Sequence, residues 1–81
     1  MIVEIQQSAI KDLKSIDNKV ALNILSKIKQ LENYPHLSNI KKLTNHYPPL
    51  RYRIGDYRVL FDTEDNKLIV VSIKHRKDAY N

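Results

Sequence analysis

Residues 50–61, Leu50-Arg51-Tyr52-Arg53-Ile54-Gly55-Asp56-Tyr57-Arg58-Val59-Leu60-Phe61, alternate apolar and polar side chains around a two-residue turn signal. Glycine reaches the positive φ that tight hairpin turns demand, so Gly55-Asp56 marks the reversal of a β-hairpin. That turn sets Ile54 opposite Tyr57, Tyr52 opposite Val59 and Leu50 opposite Phe61. Side chains alternate along a strand, so the three apolar pairs share one face. The other face carries Arg53 opposite Arg58, and Arg51 opposite Leu60. Like charges facing each other across strands cost up to ~1 kcal/mol relative to a neutral pair. Holding an anion, with phosphate the obvious one, is a reason to keep them together.

The remaining elements arrange themselves around this hairpin. Ile2-Val3-Glu4-Ile5-Gln6 alternates as a short strand. Ser8 reads as the N-cap of a helix whose apolar positions are Ala9, Ile10, Leu13 and Ile16. Asp17 is placed to cap a second, longer helix with Val20, Ala21, Ile24, Leu25, Ile28 and Leu31 as its stripe. Tyr34-Pro35 ends it, because the residue before proline is driven from helical angles. Residues 36–49 form the least regular stretch, with Ile40 and Leu43 pinned to the core and Lys41, Lys42 and His46 pointing outward. In a second hairpin, Glu64-Asp65-Asn66 forms a three-residue loop with Asn66 left-handed. It pairs Phe61 with Ile69, Val59 with Val71 and Tyr57 with Ile73, and sets Ser72 beside Arg58. The order is strand, helix, helix, then a three-stranded antiparallel meander: one α+β domain over residues 1–81, with an antiparallel helix hairpin on one sheet face.

Composition narrows the functional classes. The chain has no cysteine, so disulfides and thiolate metal sites are excluded, in keeping with a reducing compartment. The longest apolar run, Leu68-Ile69-Val70-Val71, is far too short to span a bilayer. With no signal-like N-terminus, the expected location is the cytoplasm. The net charge of +5 is uneven, because all four arginines lie in the second half. Arginine is suited to two-pronged recognition of phosphate oxygens. His36 and His46 have no third ligand at metal spacing, so no metal site is expected and no cofactor is implied.

The hairpin at residues 50–60, with Leu43 upstream and the ending His75-Arg76-Lys77-Asp78-Ala79-Tyr80, resembles the RelE/ParE superfamily of bacterial and archaeal toxins. The similarity covers nearly the whole chain and implies a RelE-like fold and a toxin–antitoxin system. RelE-type members cut messenger RNA in the ribosomal A site through the RNA's own 2′-hydroxyl, without a metal. ParE-type members inhibit DNA gyrase on the same fold. By this resemblance Arg58 stabilises the phosphate in the transition state, while Arg51 and Arg53 position the substrate. Arginine stays protonated and is a poor base, so the base is left unassigned.

In the tail, His75 is the only histidine near the expected strand face and its imidazole suits proton transfer near neutral pH, while the resemblance implies that Tyr80 stacks on or orients the reacting nucleotide. A further cation falls at Lys74 without a gap, or at Arg76 with a small shift, and Arg76 is ranked first. Lys77, Lys41 and Lys42 complete the expected phosphate contacts. Since the chain ends at Asn81, no further helix is expected behind Tyr80. The implied partners are a RelB-like antitoxin, in a toxin–antitoxin heterotetramer, and the ribosome with its messenger, with no membrane. Two competing readings are a ParE-like gyrase inhibitor without chemistry and a basic module that merely binds RNA. The plainest alternative is a solvated sheet face whose arginines are neutralised by Asp56 and Asp62.

Overall fold

The computed structural model describes residues 1–78 and contains a five-stranded mixed sheet with two helices on one face. Strands β1 (Ile2–Ile5), β2 (Ile40–Lys42), β3 (Leu50–Ile54), β4 (Tyr57–Glu64) and β5 (Lys67–His75) lie in the order β1-β5-β4-β3-β2. Helices α1 (Gln7–Lys14) and α2 (Asn18–Lys29) connect β1 to the rest, and α2 runs on into a 3-10 turn over Gln30–Asn33. β1 pairs with β5 in parallel, which the crossover through two helices permits, and the other pairings are antiparallel. No helix among the described residues is long and apolar enough to cross a membrane.

One face of the sheet and one side of the helix pair make the core. Ala9 and Leu13 from α1 and Ala21, Ile24 and Ile28 from α2 pack over Tyr52, Val59, Phe61, Leu68, Val70 and Ile73. The Tyr34 ring meets Phe61 edge-on at 5.6 Å, closing the core at the end of the 3-10 turn. Val20 and Leu25 belong to the apolar stripe of α2 but are 37% and 38% exposed, so only the Ala21-Ile24-Ile28-Leu31 side is covered. Beside Leu25 and Ile28, an apolar groove of about 400 Å³ opens against Met1, Ile2, Val3 and Ile5.

The first hairpin has the register expected from its alternation, residue for residue, and Gly55 has φ +57° at its turn. The second hairpin differs. Its turn contains two residues, Asp65-Asn66, with Glu64 opposite Lys67, and Asp65 rather than Asn66 takes the positive φ. Leu68 and Val70 then face the core in place of Ile69 and Val71. A β-bulge follows: Phe61 pairs with Val70 but Leu60 pairs with Ser72, leaving Val71 as the extra residue. The bulge restores Ile73 to the core face, opposite Val59. Ser72 accordingly faces Leu60, and Arg58 faces Lys74.

Helix α1 supplies the hydrogen bonds that hold the bulge. β1 serves the outer edge of β5 as far as the Gln6 N–H, which donates to the Val70 carbonyl at 3.0 Å. Beyond that point β5 has no strand neighbour on this side. Ser8 Oγ donates to the Val71 carbonyl at 2.5 Å, and the Ile73 N–H donates to Asp12 Oδ2 at 2.8 Å. Positions 8 and 12 are four residues apart and so share one helix face. Ser8 is therefore not the N-cap: Gln6 occupies that position, and the Ser8 hydroxyl is spent on β5. Asp17 does stand at the N-cap of α2, but its side chain makes no capping bond.

The segment expected to be irregular contributes β2, which pairs with β3 through Ile40–Tyr52, Lys41–Arg51 and Lys42–Leu50. Asn39 and Asn45 adopt positive φ on either side of it, a conformation that asparagine tolerates best among residues with a side chain. Replacing Asp12 by Ala is expected to leave the part-buried Ile73 N–H without its acceptor and to lower stability by about 1–3 kcal/mol. Asp12→Asn, which retains an acceptor oxygen, should lose less. Urea melts with an unchanged denaturant slope would show whether the loss lies in the folded state.

Candidate nucleic-acid interface

The sheet face turned away from the helices carries two rows of side chains. The row nearer the hairpin tip runs across three adjacent strands as Arg53, Arg58 and Lys74. The next row runs across four strands as Lys41, Arg51, Leu60 and Ser72. Directly opposed residues have Cα atoms about 4.5–5.5 Å apart, so these cationic side chains stand over one small area. Leu60 is buried although it lies on this side, and with Leu43 it stands apart from the helix-side core. The basic rows therefore flank an apolar point.

Arg58 is on β4, the central strand, which is the most constrained place in the sheet. It is half-buried, and its Nη1 donates to the carbonyls of Gly55 and Tyr57, each at 3.3 Å. The turn thus holds the guanidinium in place. Among the described residues the neighbouring Arg53 is in no ion pair. Asp56 faces Arg76 at 3.8 Å, and Asp62, on the same side of β4 as Leu60 by alternation, accepts the Thr63 N–H at Oδ1 at 2.7 Å. A row of fixed cations of this kind suits the oxygens of a phosphodiester, which it can grip more tightly as negative charge grows on them.

The structure separates the remaining sequence candidates. Lys74 shares the row with Arg58. Arg76 does not: it lies in the turn after β5, with its N–H on the Asp56 carbonyl at 2.7 Å and its guanidinium near the Asp56 carboxylate. Alternation would put Lys74 and Arg76 on one face if the strand ran on, but β5 ends at His75 and the turn carries Arg76 to Asp56. By the same alternation His75, paired with Tyr57, lies on the helix side, where its ring meets the Tyr57 ring edge-on at 5.2 Å. Its Nδ1 accepts the Lys77 N–H at 3.2 Å. Lys77 is exposed just beyond the strand, and Tyr80 lies outside the described residues.

Lys41 joins the basic face beside Arg51, whereas Lys42, one residue on, falls on the opposite side. His46 Nδ1 donates to the Pro48 carbonyl at 2.9 Å. No group of three or more metal-ligating side chains gathers among the described residues. Sequence reasoning missed Lys27 and Asn23 of α2, which share a small cleft with Arg53. Both fall outside the apolar stripe of α2, and only the tertiary placement of α2 beside the end of β3 brings them near Arg53.

The family model of the ParE toxin of type II toxin–antitoxin systems matches residues 3–80. Toxin RelE3 of Methanocaldococcus jannaschii is 28% identical over 76 residues, covering 89% of this chain and 86% of that protein. A RelB–RelE antitoxin–toxin complex from Methanococcus jannaschii contains a chain that superposes with a TM-score of 0.76 at 25% identity, covering 94% of this chain and 93% of that one. The archaeal RelE–RelB complex of Pyrococcus horikoshii gives 0.76 at 25% identity over 96% and 97%.

The opposed Arg53–Arg58 pair has a thermodynamic signature. Arg53→Thr should raise stability by up to ~1 kcal/mol at low ionic strength, by removing like-charge repulsion. The gain should shrink as salt screens the pair. Paired urea melts at low and high salt measure both effects.

Proposed function

Because the chain belongs to the ParE toxin family of type II toxin–antitoxin systems, within the RelE/ParE superfamily, we propose that it is a ribosome-dependent messenger RNA endonuclease of the RelE type. The observation that carries this reading is the row Arg53–Arg58–Lys74 across the middle of the sheet. Opposed cations in one row suit a phosphodiester, on which negative charge grows during attack.

The chemistry asks little of the protein beyond charge and positioning. The 2′-oxygen of one nucleotide attacks the adjacent phosphorus, and the bond to the 5′-oxygen of the next nucleotide breaks. The 2′-hydroxyl gives up a proton and the departing oxygen gains one, leaving a 2′,3′-cyclic phosphate. Arg58, anchored at the turn, stabilises the charge that develops on the phosphoryl oxygens. Lys74 and Arg53 flank it and hold the same phosphate in line for attack. Arg51 and Lys41 engage the neighbouring phosphate, and Lys77 and Arg76 extend the contact along the tail. Tyr80 orients the reacting nucleotide; this role rests on the resemblance of the tail alone. His75, on the helix side of β5, reaches the reacting atoms only if the tail turns over the strand end. None of these steps calls on a metal.

The partner in this reading is a RelB-like antitoxin, as in the RelB–RelE complexes whose toxin chains share this fold. It would lay an apolar helix in the groove between β1 and α2 and send an extended, acidic segment toward the basic face. A heterotetramer of two toxins and two antitoxins, acting in the cytoplasm where ribosomes translate, is the assembly we propose. The whole of residues 1–81 serves as one toxin domain.

The family model that matches is named for ParE toxins, and this keeps a second reading in view, in which the same face clamps the DNA–gyrase complex without cutting anything. Translating ribosomes incubated with the protein should yield messenger ends mapping to the A site. Arg58→Ala should reduce cutting by about 100-fold or more, the scale of losing one transition-state donor. Undiminished cutting in that variant would remove Arg58 from the mechanism. Inhibition of gyrase supercoiling with the messenger left intact would favour the second reading.

A further inference from the structure

At the corner where β2 begins, β3 runs on beyond its partner and becomes the edge of the sheet, with the Arg53 N–H donating to the Asn39 carbonyl at 3.0 Å. Helix α2 passes this corner and leaves a cleft of about 200 Å³. It is lined by Lys27 and Asn23 from α2, Asn39 from the bend before β2, and Tyr52, Arg53, Ile54 and Gly55 from β3 and its turn. No carboxylate lines it. Two basic residues with two amides and no acid are the residue types that receive an anion.

Arg53 lines this cleft at the edge of β3, while its side chain stands on the face of Arg58, so the cleft lies around the sheet edge from the arginine row. Among the described residues neither the Lys27 ammonium nor the Arg53 guanidinium takes part in an ion pair. Lys27 is half-buried and lines the cleft. Asn23 stands one helical turn before it, and Lys19 one turn earlier still. Steps of four residues put all three on one edge of α2, pointing along a path that leads away from the arginine row.

We propose that this cleft is a second phosphate subsite, holding a phosphodiester of the RNA strand that flanks the scissile step. It binds and does no chemistry: Lys27 supplies a point charge, Arg53 bridges the two phosphates, and the amides of Asn23 and Asn39 donate to the remaining oxygens. The inference rests on the reading of the protein as an RNA-cutting toxin, and it adds where the strand goes after leaving Arg58. The affinity for the strand is thereby separated from the rate of the cut.

The test uses the full chain and a fluorescein-labelled single-stranded RNA octamer whose 2′-hydroxyls are replaced by hydrogen, so that binding is read without cleavage. Lys27→Gln should weaken binding several-fold and flatten the dependence of log K on log salt by about 0.7, the loss of one single-strand phosphate contact. Asn23→Asp, which puts a negative charge in the cleft, should weaken it further. Lys29→Gln removes the same charge from the far side of α2, beside the apolar groove, and should leave both quantities near wild type. At saturating protein, Lys27→Gln should cut ribosome-bound messenger at the wild-type rate. Equal affinity and salt slope for Lys27→Gln and wild type would overturn the subsite, as would equal losses in Lys27→Gln and Lys29→Gln. If Lys27→Gln shows the binding loss while wild type cuts no messenger, the subsite stands and the nuclease reading falls.

Discussion

Two hydrogen bonds from α1 to the bulged part of β5 set the geometry of the basic face. Val71 is one residue more than β4 can pair, and such a residue survives in a buried strand only if its displaced polar groups find partners. Ser8 and Asp12, one turn apart on the helix, meet the Val71 carbonyl and the Ile73 N–H. If Val71 paired regularly instead of bulging, the register set at the turn would run through, and Arg58 would face Ile73. With the bulge, Ile73 packs on Val59 in the core and Lys74 comes beside Arg58. A local contact on the helix side thus decides which side chain completes the row on the opposite side of the sheet.

This also explains where the sequence was transparent and where it was opaque. The hairpin of β3 and β4 was readable to the residue because its turn is short, its alternation unbroken, and one face apolar throughout. In the second hairpin, Leu68-Ile69-Val70-Val71 is apolar at every position, so alternation gives no phase. A three-residue loop without a bulge and a two-residue turn with one both bury Ile73, and only the bonds from Ser8 and Asp12 distinguish them. Ser8 looked like a cap because serine before an apolar helix usually is one; its hydroxyl instead had a more demanding carbonyl to satisfy. The three residues of β2 were hidden because a strand that short carries almost no periodic signal. The helices and the overall α+β order were plain from their apolar spacing.

For the candidate site, residue type was legible and side was harder. Arg51, Arg53 and Arg58 fall together because they alternate within one well-phased hairpin. Past the bulge, neighbouring residues with similar chemistry part company: Lys74 stands with the arginines, His75 turns to Tyr57, and Arg76 leaves the strand to meet Asp56. Composition cannot make that distinction, since all three are basic and consecutive. Lys27 and Arg53 illustrate the converse. They are distant in sequence and belong to different elements, and only the passage of α2 across the sheet corner brings them to one cleft.

The extra residue at position 71 carries a lesson for how such a chain can change over evolutionary time. Deleting Val71 would close the bulge and leave the pairs beyond it in place, Ile73 opposite Val59 and Lys74 opposite Arg58. One added residue with a regular ladder would set Ile73 opposite Tyr57, again on the core face. Relatives without the bulge are therefore expected to differ from this chain by a single gap at position 71, with Ile73 still on the core side.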